Sequence, residues 1–217
     1  MPETYLRSIW GNEMTDRFLR WYKLRSTRQE FLDQVQYFSQ NGIFLEHPYR
    51  KACIVLNVDG ADVELRQSEI AHMVDLKIGN FDVEYWLTAD VNVTCFYSWL
   101  PMSFEVQTYH LETLDSGQLE RVTSVLIAHI ETHAASTLGY VLDVKGRTAD
   151  QDWNGFFDSL ELNQLVQISA YPDILVLRGS IKRINDILQV PNFVSSSQVG
   201  NDFVKLENRL PRGGIHS

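Results

Sequence analysis

Two histidines four residues apart are the nearest approach to a reactive pair in this sequence. His129 and His133 lie in a segment with helical periodicity, and the i, i+4 spacing places two imidazoles on one helix face, as two metal ligands require. A third ligand, or a carboxylate partner for acid–base chemistry, would have to come from a distant segment such as His72 or His110. Because the pair flanks the apolar stripe of the helix, we expect two histidines at the core edge, with no metal and no other cofactor.

Other reactive side chains have simpler explanations. Asp150, Asp152 and Asp158 resemble a carboxylate cluster for a divalent cation, but acids near a helix start are already favoured by the helix dipole. Cys53 and Cys95 lie among apolar neighbours, which is typical of buried thiols. The sequence contains no glycine-rich phosphate loop, no nucleophile elbow and no paired-cysteine motif. We therefore predict that the protein is not an enzyme.

The charge distribution favours a basic partner. Among 217 residues, 28 are acidic and 19 are basic, giving a net charge of −9. Such a chain is poorly suited to bind nucleic acid or an anionic membrane. Acid concentrates in residues 52–90, with eight acidic and two basic side chains, and in residues 148–176, with five acidic side chains and no basic one. The start of the chain lacks the basic-then-apolar pattern of a secretory signal, so we expect a cytoplasmic protein.

These acidic segments also carry aromatic residues, and aromatic rings bordered by charge make good anchors in protein interfaces. Trp86 and Phe96 lie on the more polar parity of their predicted strands, although a sheet covered on both faces would bury them. The candidate partner-binding residues are Asp62, Glu64, Asp82, Glu84, Trp86, Asp150, Asp152, Trp153 and Asp158.

Patterning in the first half indicates strands, one helix and a hairpin. Ser26 to Gln29 matches a capping box, in which a hydroxyl and a glutamine bond the free amides of a helix start, and Asn41-Gly42 suits the helix end. Residues 67–78 fit no single element. The expected elements are strands at 5–10 and 18–24, a helix between Ser26 and Asn41, and a hairpin over 53–66.

The second half begins with an apolar alternation from Phe81 to Trp99, too long for one strand, so a break is expected near residues 88–90. A long helix follows, capped by Asp115 or Ser116, and Thr148 to Gln151 predicts a second capping box. The remaining expectations are strands at 104–113, 140–144, 173–177 and 203–206, helices at 117–137 and 181–188, a loop at 195–197 and a tail at 210–217.

This order predicts an α+β fold, with mostly antiparallel sheet and helices packed on one face. Strand, strand, helix, strand occurs over 5–58 and again over 91–144, which suggests two similar halves. We therefore expect an N-terminal half at 1–78 and a C-terminal half at 79–217, either separate or joined in one continuous domain.

The stretch from Gly139 to Phe157 reads GYVLDVKGRTADQDWNGFF. It resembles the strand, turn and Asp-Trp segments of bacterial immunity proteins that neutralise polymorphic toxins. The resemblance covers less than a tenth of the chain and brings no catalytic residues with it. It implies a small cytoplasmic α+β protein that binds a cognate toxin tightly, often by covering its active site.

The residues and the resemblance lead to the same hypothesis. We expect an immunity protein, monomeric or homodimeric, that occludes a toxin with a basic cleft through an acidic, aromatic-bearing surface. Two alternatives remain open. One is an enzyme without a familiar motif that depends on a metal or on its histidines, and the other is a self-associating structural or regulatory domain.

Overall fold

The computed structural model describes residues 16–56, 60–100, 104–188, 190–192 and 194–209. The predicted strand at 5–10 and the predicted tail at 210–217 lie outside the described residues. The strands are β1 (Phe18–Leu24), β2 (Cys53–Leu56), β3 (Asp62–Leu65), β4 (Phe81–Trp86), β5 (Asn92–Leu100), β6 (Phe104–His110), β7 (Thr137–Asp143), β8 (Ile174–Arg178), β9 (Val194–Val199) and β10 (Phe203–Asn208). The helices are α1 (Arg28–Gln40), α2 (Gln67–Leu76), α3 (Ser116–Thr132), α4 (Trp153–Glu161) and α5 (Ile181–Ile187). None of these helices is long and apolar enough to cross a membrane.

All these strands belong to one open antiparallel sheet, in the order β3-β2-β4-β5-β6-β1-β7-β8-β10-β9. The predicted α+β class with an antiparallel sheet is thus confirmed. β1 pairs with both β6 and β7, so strands from either side of residue 78 share the sheet. The boundary at residue 78 and the similarity of the two halves stay predictions.

The side chains of β1 show how the helices are distributed. Leu19 and Trp21 belong to a core that includes residues of α1, α2 and α3, whereas Phe18 and Tyr22 belong to a second core with α4 and α5. Successive side chains of a strand point to opposite faces, so the two helix groups pack on opposite faces of the sheet and not on one face, as the sequence had predicted. Each group covers mainly one half, and part of each face is left without any of the described helices.

Gly139 on β7 lets α4 approach the sheet closely. A Cβ atom at this position would lie 2.3 Å from the carbonyl oxygen of Val176 and 2.9 Å from Cε1 of Phe157. The absence of a side chain allows the Phe157 ring to stack on Tyr22, with ring centroids 3.7 Å apart. The segment that carries the resemblance therefore forms β7, a turn and α4, folded back onto β1.

The helix starts depend on capping side chains, although two of the predicted ones are wrong. α1 is capped by Thr27 with Glu30, because the Glu30 amide donates to Thr27 Oγ1 at 3.2 Å and the Thr27 amide donates to Glu30 Oε2 at 2.6 Å. Asp115 caps α3 as predicted. α4 is capped by Asp152, and Thr148 instead donates its hydroxyl to the buried carboxylate of Asp143.

Two further segments differ from the sequence prediction. The ambiguous residues 67–78 contain α2, and the predicted loop at 195–197 is part of β9. β9 is held by its backbone pairing with β10, while most of its side chains are exposed. Its serines therefore carry no periodic apolar signal that could have indicated a strand. The predicted break between 81 and 99 is confirmed, since β4 and β5 form a hairpin.

Buried amides and phenols tie α1 to the sheet. Gln34 of α1 is only 1% exposed, and its Nε2 atom lies 2.9 Å from Gln107 Oε1 and 3.0 and 3.2 Å from the hydroxyls of Tyr109 and Tyr97. Gln107 returns a bond from its own Nε2 to Gln34 Oε1 at 3.2 Å. The Tyr85 and Tyr97 hydroxyls lie 3.0 Å apart. These bonds satisfy polar groups that water does not reach.

A fully buried carboxylate extends this network to the start of α1. Glu105 has no exposed surface, and its carboxylate accepts from the Ser26 amide at 2.8 Å, the Ser26 hydroxyl at 3.0 Å and Gln107 Nε2 at 2.6 Å. Lys23 Nζ donates to the Ser26 hydroxyl at 2.8 Å and lies 4.5 Å from the Trp21 ring centroid. Burial lowers the pKa of Lys23, while the charge of Glu105 opposes that shift.

We expect Glu105→Gln to lower the free energy of unfolding by about 3–5 kcal/mol, because it leaves the buried Lys23 without a compensating charge. Denaturant unfolding of Glu105→Gln beside the exposed control Glu120→Gln measures this loss. The double variant Lys23→Met/Glu105→Gln should recover part of it. Equal stability of Glu105→Gln and the control would contradict a stabilising role for the carboxylate.

Candidate partner-binding face

Over β2, β3 and β4, one sheet face carries none of the helices in the described residues. On these strands the odd-numbered residues, apart from the exposed Val63, belong to the first core or pack against it, whereas the even-numbered residues belong to neither core. Asp62 and Glu64 of β3 and Asp82 and Glu84 of β4 have this even parity. We call the surface formed by these four carboxylates the acidic face.

The strand register brings the four acids together. Leu56 of β2 pairs with Asp62 on one side and with Asp82 on the other, so the two aspartates lie two strand spacings apart, about 10 Å. Glu64 and Glu84 lie two residues further along their strands, and therefore on the same face as the aspartates. In the sequence, α2 lies between the acids of β3 and those of β4. In the sheet, only β2 lies between them.

A single arginine in the loop before β2 partly neutralises the acidic face. Arg50 Nη1 lies 2.8 Å from Asp62 Oδ2 and 4.0 Å from Glu64 Oε1. Both pairs are well exposed to solvent, where ion pairs stabilise little and are screened by salt. Four carboxylates against one guanidinium leave a net negative surface that still attracts cations.

The two acids on β4 are half-buried, and this changes their protonation. Burial raises the pKa of Asp82, with His110 acting in the opposite direction. Burial also raises the pKa of Glu84, and the Asp62 carboxylate raises it further while Arg50 lowers it. In the free protein, burial therefore makes ionisation of these two groups less favourable. A cation of a bound partner would stabilise their ionised forms.

Next to the acids, β5 places one aromatic ring and two polar side chains on the same face. Phe96 pairs with Asp82 and is half-buried, Thr94 pairs with Glu84, and Asn92 pairs with Trp86. Phe96 offers ring surface beside charge, an arrangement suited to a protein contact. Trp86 differs from the expectation of an exposed anchor, because it is only 9% exposed and its ring packs 4.3 Å from that of His47.

The second acidic segment has mainly structural roles. Trp153 is 1% exposed and belongs to the second core, so the prediction that its ring contacts a partner is corrected here. Asp152 caps α4 by accepting from the Gly155 amide at 2.9 Å. Asp150 is exposed, and Asp158 is half-buried.

The two acidic segments lie on the same side of the sheet but do not meet. From Asp82 the same-face row runs through Phe96 and Thr108 to Arg20 on β1, three strand spacings or about 14 Å. Arg20 Nε donates to Thr108 Oγ1 at 3.1 Å. This cation and the width of β5 and β6 separate the acidic face from α4.

Of the histidine pair, His129 is buried beside the first core and His133 is half-buried. His129 is 2% exposed and packs against the rings of Trp21, Tyr37 and Phe38 at centroid distances of 5.7, 4.9 and 5.2 Å. Burial, together with His133 and Lys23, lowers the pKa of His129 to about 3. Within the described part of the chain, no group of three or more metal-ligating side chains occurs. His129 thus remains neutral at physiological pH and serves packing.

The cysteines are equally enclosed. Both Cys53 and Cys95 are free and have no exposed surface. Burial raises the pKa of Cys53 to about 12 and raises that of Cys95 well above its usual value. Since the thiolate is the nucleophile, neither side chain is prepared for nucleophilic chemistry.

Arg50 is a residue of the candidate face that sequence reasoning missed. It follows the turn at His47, whose Nδ1 accepts from the Tyr49 and Arg50 amides, each at 3.1 Å. No periodic pattern in the sequence indicates that an arginine in a loop contacts a strand that follows it in the chain. The parity of Phe96 predicts its side of the strand, but the sequence alone does not show that it pairs with Asp82 of β4.

Comparison with family models, with curated proteins and with solved structures finds no match to this chain.

We expect Asp82→Asn/Glu84→Gln to stabilise the free protein at pH 7 by about 0.5–1 kcal/mol, a modest value because both groups retain contact with water. Since the folded-state pKa values are raised, wild-type stability falls as pH rises through them, and the variant escapes this loss. The gain should vanish below about pH 4, where the acids are protonated in the unfolded chain as well.

The matched control is Asp75→Asn/Glu120→Gln, which removes the same charge from exposed positions on α2 and α3, against the opposite sheet face. Thermal or denaturant unfolding at pH 7 and at acidic pH separates the two variants. An equal gain in the control would show that net charge, and not the environment of the acidic face, sets the effect.

Proposed function

We propose that this chain is a non-enzymatic immunity protein that binds and neutralises a cognate bacterial toxin. The observation that carries the proposal is the acidic face, where four carboxylates converge on a part of the sheet that no described helix covers. The resemblance of residues 139–157 to immunity proteins supports the same class. Inhibition would be steric, with no turnover by the chain itself.

The chemistry of the face defines the toxin surface that fits it. Exposed Asp62 and Glu64 supply long-range attraction, which speeds association with a basic cleft. Half-buried Asp82 and Glu84 gain most from a cation brought into contact, because their ionisation is disfavoured in the free protein. Phe96 adds apolar contact beside them. The proposed partner therefore carries several lysines or arginines around its active site.

The buried state of the alternative reactive groups agrees with binding as the function. His129 is held neutral inside the core, and Cys53 and Cys95 are sealed from solvent. The acid pairs of the acidic face, by contrast, are open to a partner. A location in the cytoplasm, where such a toxin would act, is part of the proposal.

Charge reversal tests the proposal directly. We expect Asp62→Lys/Glu64→Lys to weaken toxin binding by more than about tenfold, through lost attraction and new repulsion, and to abolish protection of cells. Binding is measured with the toxin encoded beside this chain, and protection is measured by growth during toxin expression. Affinity of the wild-type pair should also fall as salt rises.

Asp75→Lys/Glu120→Lys makes the same change in net charge on the opposite side of the sheet and should keep both binding and protection. Lack of binding between the wild-type protein and that toxin would refute the proposed function. Intact protection by Asp62→Lys/Glu64→Lys would instead refute the acidic face as the binding surface.

A further inference from the structure

A cavity of about 480 Å³ lies on the sheet face opposite the acidic face, beside α3. Its walls come from the C-terminal part of α3 and from the strands β7, β8 and β10. The volume falls within the range of small-molecule sites. It exists because α3 does not cover the full width of the sheet, so the outer strands continue past the helix.

The cavity is lined mainly by apolar side chains. Val176 and Phe203 form part of its floor and are 6% and 9% exposed, while Ile130 of α3 is 3% exposed and forms part of the wall. Val199 of β9 closes the far side and is 38% exposed. Such a lining favours an apolar occupant over water.

One polar group in the lining is the hydroxyl of Tyr140. The Tyr140 side chain is 5% exposed, and its hydroxyl forms no hydrogen bond with any residue in the described part of the chain. The hydroxyl is not fully buried, so it keeps a donor and acceptor available at the cavity surface. Here the open side of the residue is the cavity itself, so an occupant could supply the missing bond.

The charges around Tyr140 restrict that occupant. Burial, with the carboxylates of Glu131 and Glu207, raises the pKa of Tyr140, so the hydroxyl keeps its proton and acts as a donor. Lys205 Nζ lies 2.7 Å from Glu207 Oε1, and its charge is therefore already compensated. An anionic head group would meet Glu131, and the described lining residues offer no unpaired cation to offset that repulsion. A simple ammonium or guanidinium group has no acceptor for the phenol.

We propose that this cavity is a binding site for a small, mostly apolar molecule whose uncharged acceptor, such as a carbonyl oxygen, receives a hydrogen bond from the Tyr140 hydroxyl. The site is separate from the acidic face, since it lies across the sheet from it. Its occupancy does not depend on the proposed toxin-binding function.

Prodan, an uncharged naphthalene ketone, is a suitable probe because its emission shifts to the blue in apolar surroundings. Titrated onto the full-length protein, it should give a saturable, blue-shifted signal with one site per chain. Tyr140→Phe should raise the dissociation constant about three- to tenfold, the effect of one lost hydrogen bond. Ala134→Trp, at an exposed position in the lining, should abolish the signal by filling the cavity.

Gln36→Trp is the matched control, since it places the same side chain in a different and larger surface cavity beside α1. It should leave the prodan signal unchanged. Val199→Trp fills the 480 Å³ cavity from the opposite wall. It is used in place of Ala134→Trp if the melting temperature of Ala134→Trp is lower than that of the wild-type protein. Unsaturable binding, or binding that survives both tryptophans in the cavity, would overturn the site. An unchanged dissociation constant in Tyr140→Phe would overturn the proposed ligand chemistry.

Discussion

The Glu105 carboxylate, buried without contact with water, ties the start of α1 to the middle of the sheet. It accepts hydrogen bonds from the backbone and side chain of Ser26, the residue that precedes the capped start of α1. Through Gln107 it joins the amides and phenols that hold Gln34 against the sheet. The position of α1 is therefore fixed at two points, and α2 and α3 pack beside it in the same core.

This arrangement decides which surfaces remain open. With α1, α2 and α3 on one face over one half of the sheet, and α4 and α5 on the opposite face, neither helix group spans the full width. Of the areas that no described helix covers, the one beside β5 is acidic, and the one beside α3 is mainly apolar and includes the Tyr140 phenol. The two proposed binding surfaces therefore have opposite chemistry and lie on opposite faces of the sheet. The acidic face retains half-buried carboxylates that cost stability in the free state, as surfaces kept for function often do.

Local signals predicted the elements well, because they depend on neighbours in sequence. The periodicity of α3, its Asp115 cap and the β4–β5 break are all present. Where two neighbouring residues could both cap a helix, a contact with a residue distant in the sequence determined which of them does so. Thr27 caps α1 because Ser26 is already committed to Glu105, a residue 79 positions away. A strand such as β9, held by backbone pairing alone, leaves little trace in its side chains.

The candidate site was predictable in part for the same reason. Alternation placed Asp82 and Glu84 on the polar parity of their strand, and Asp62 and Glu64 were assigned to the preceding hairpin, but only strand order shows that β2 brings both pairs together. Composition alone does not show which aromatic residues are exposed. Trp153 and Trp86 were both expected to contact a partner, and both are buried in the protein. Which face a helix covers decides exposure, and that choice follows from packing across the whole sheet.

Carboxyl labelling of the free protein and of its complex with the proposed toxin, resolved by mass spectrometry, compares individual acids without altering them. If the acidic face binds the toxin, Asp62 and Glu64 label readily in the free protein and become protected in the complex. Asp75 and Glu120, exposed on the opposite side of the sheet, should label equally in both. Protection of Asp150 with unchanged labelling of Asp62 and Glu64 would contradict the acidic face as the surface that meets the toxin.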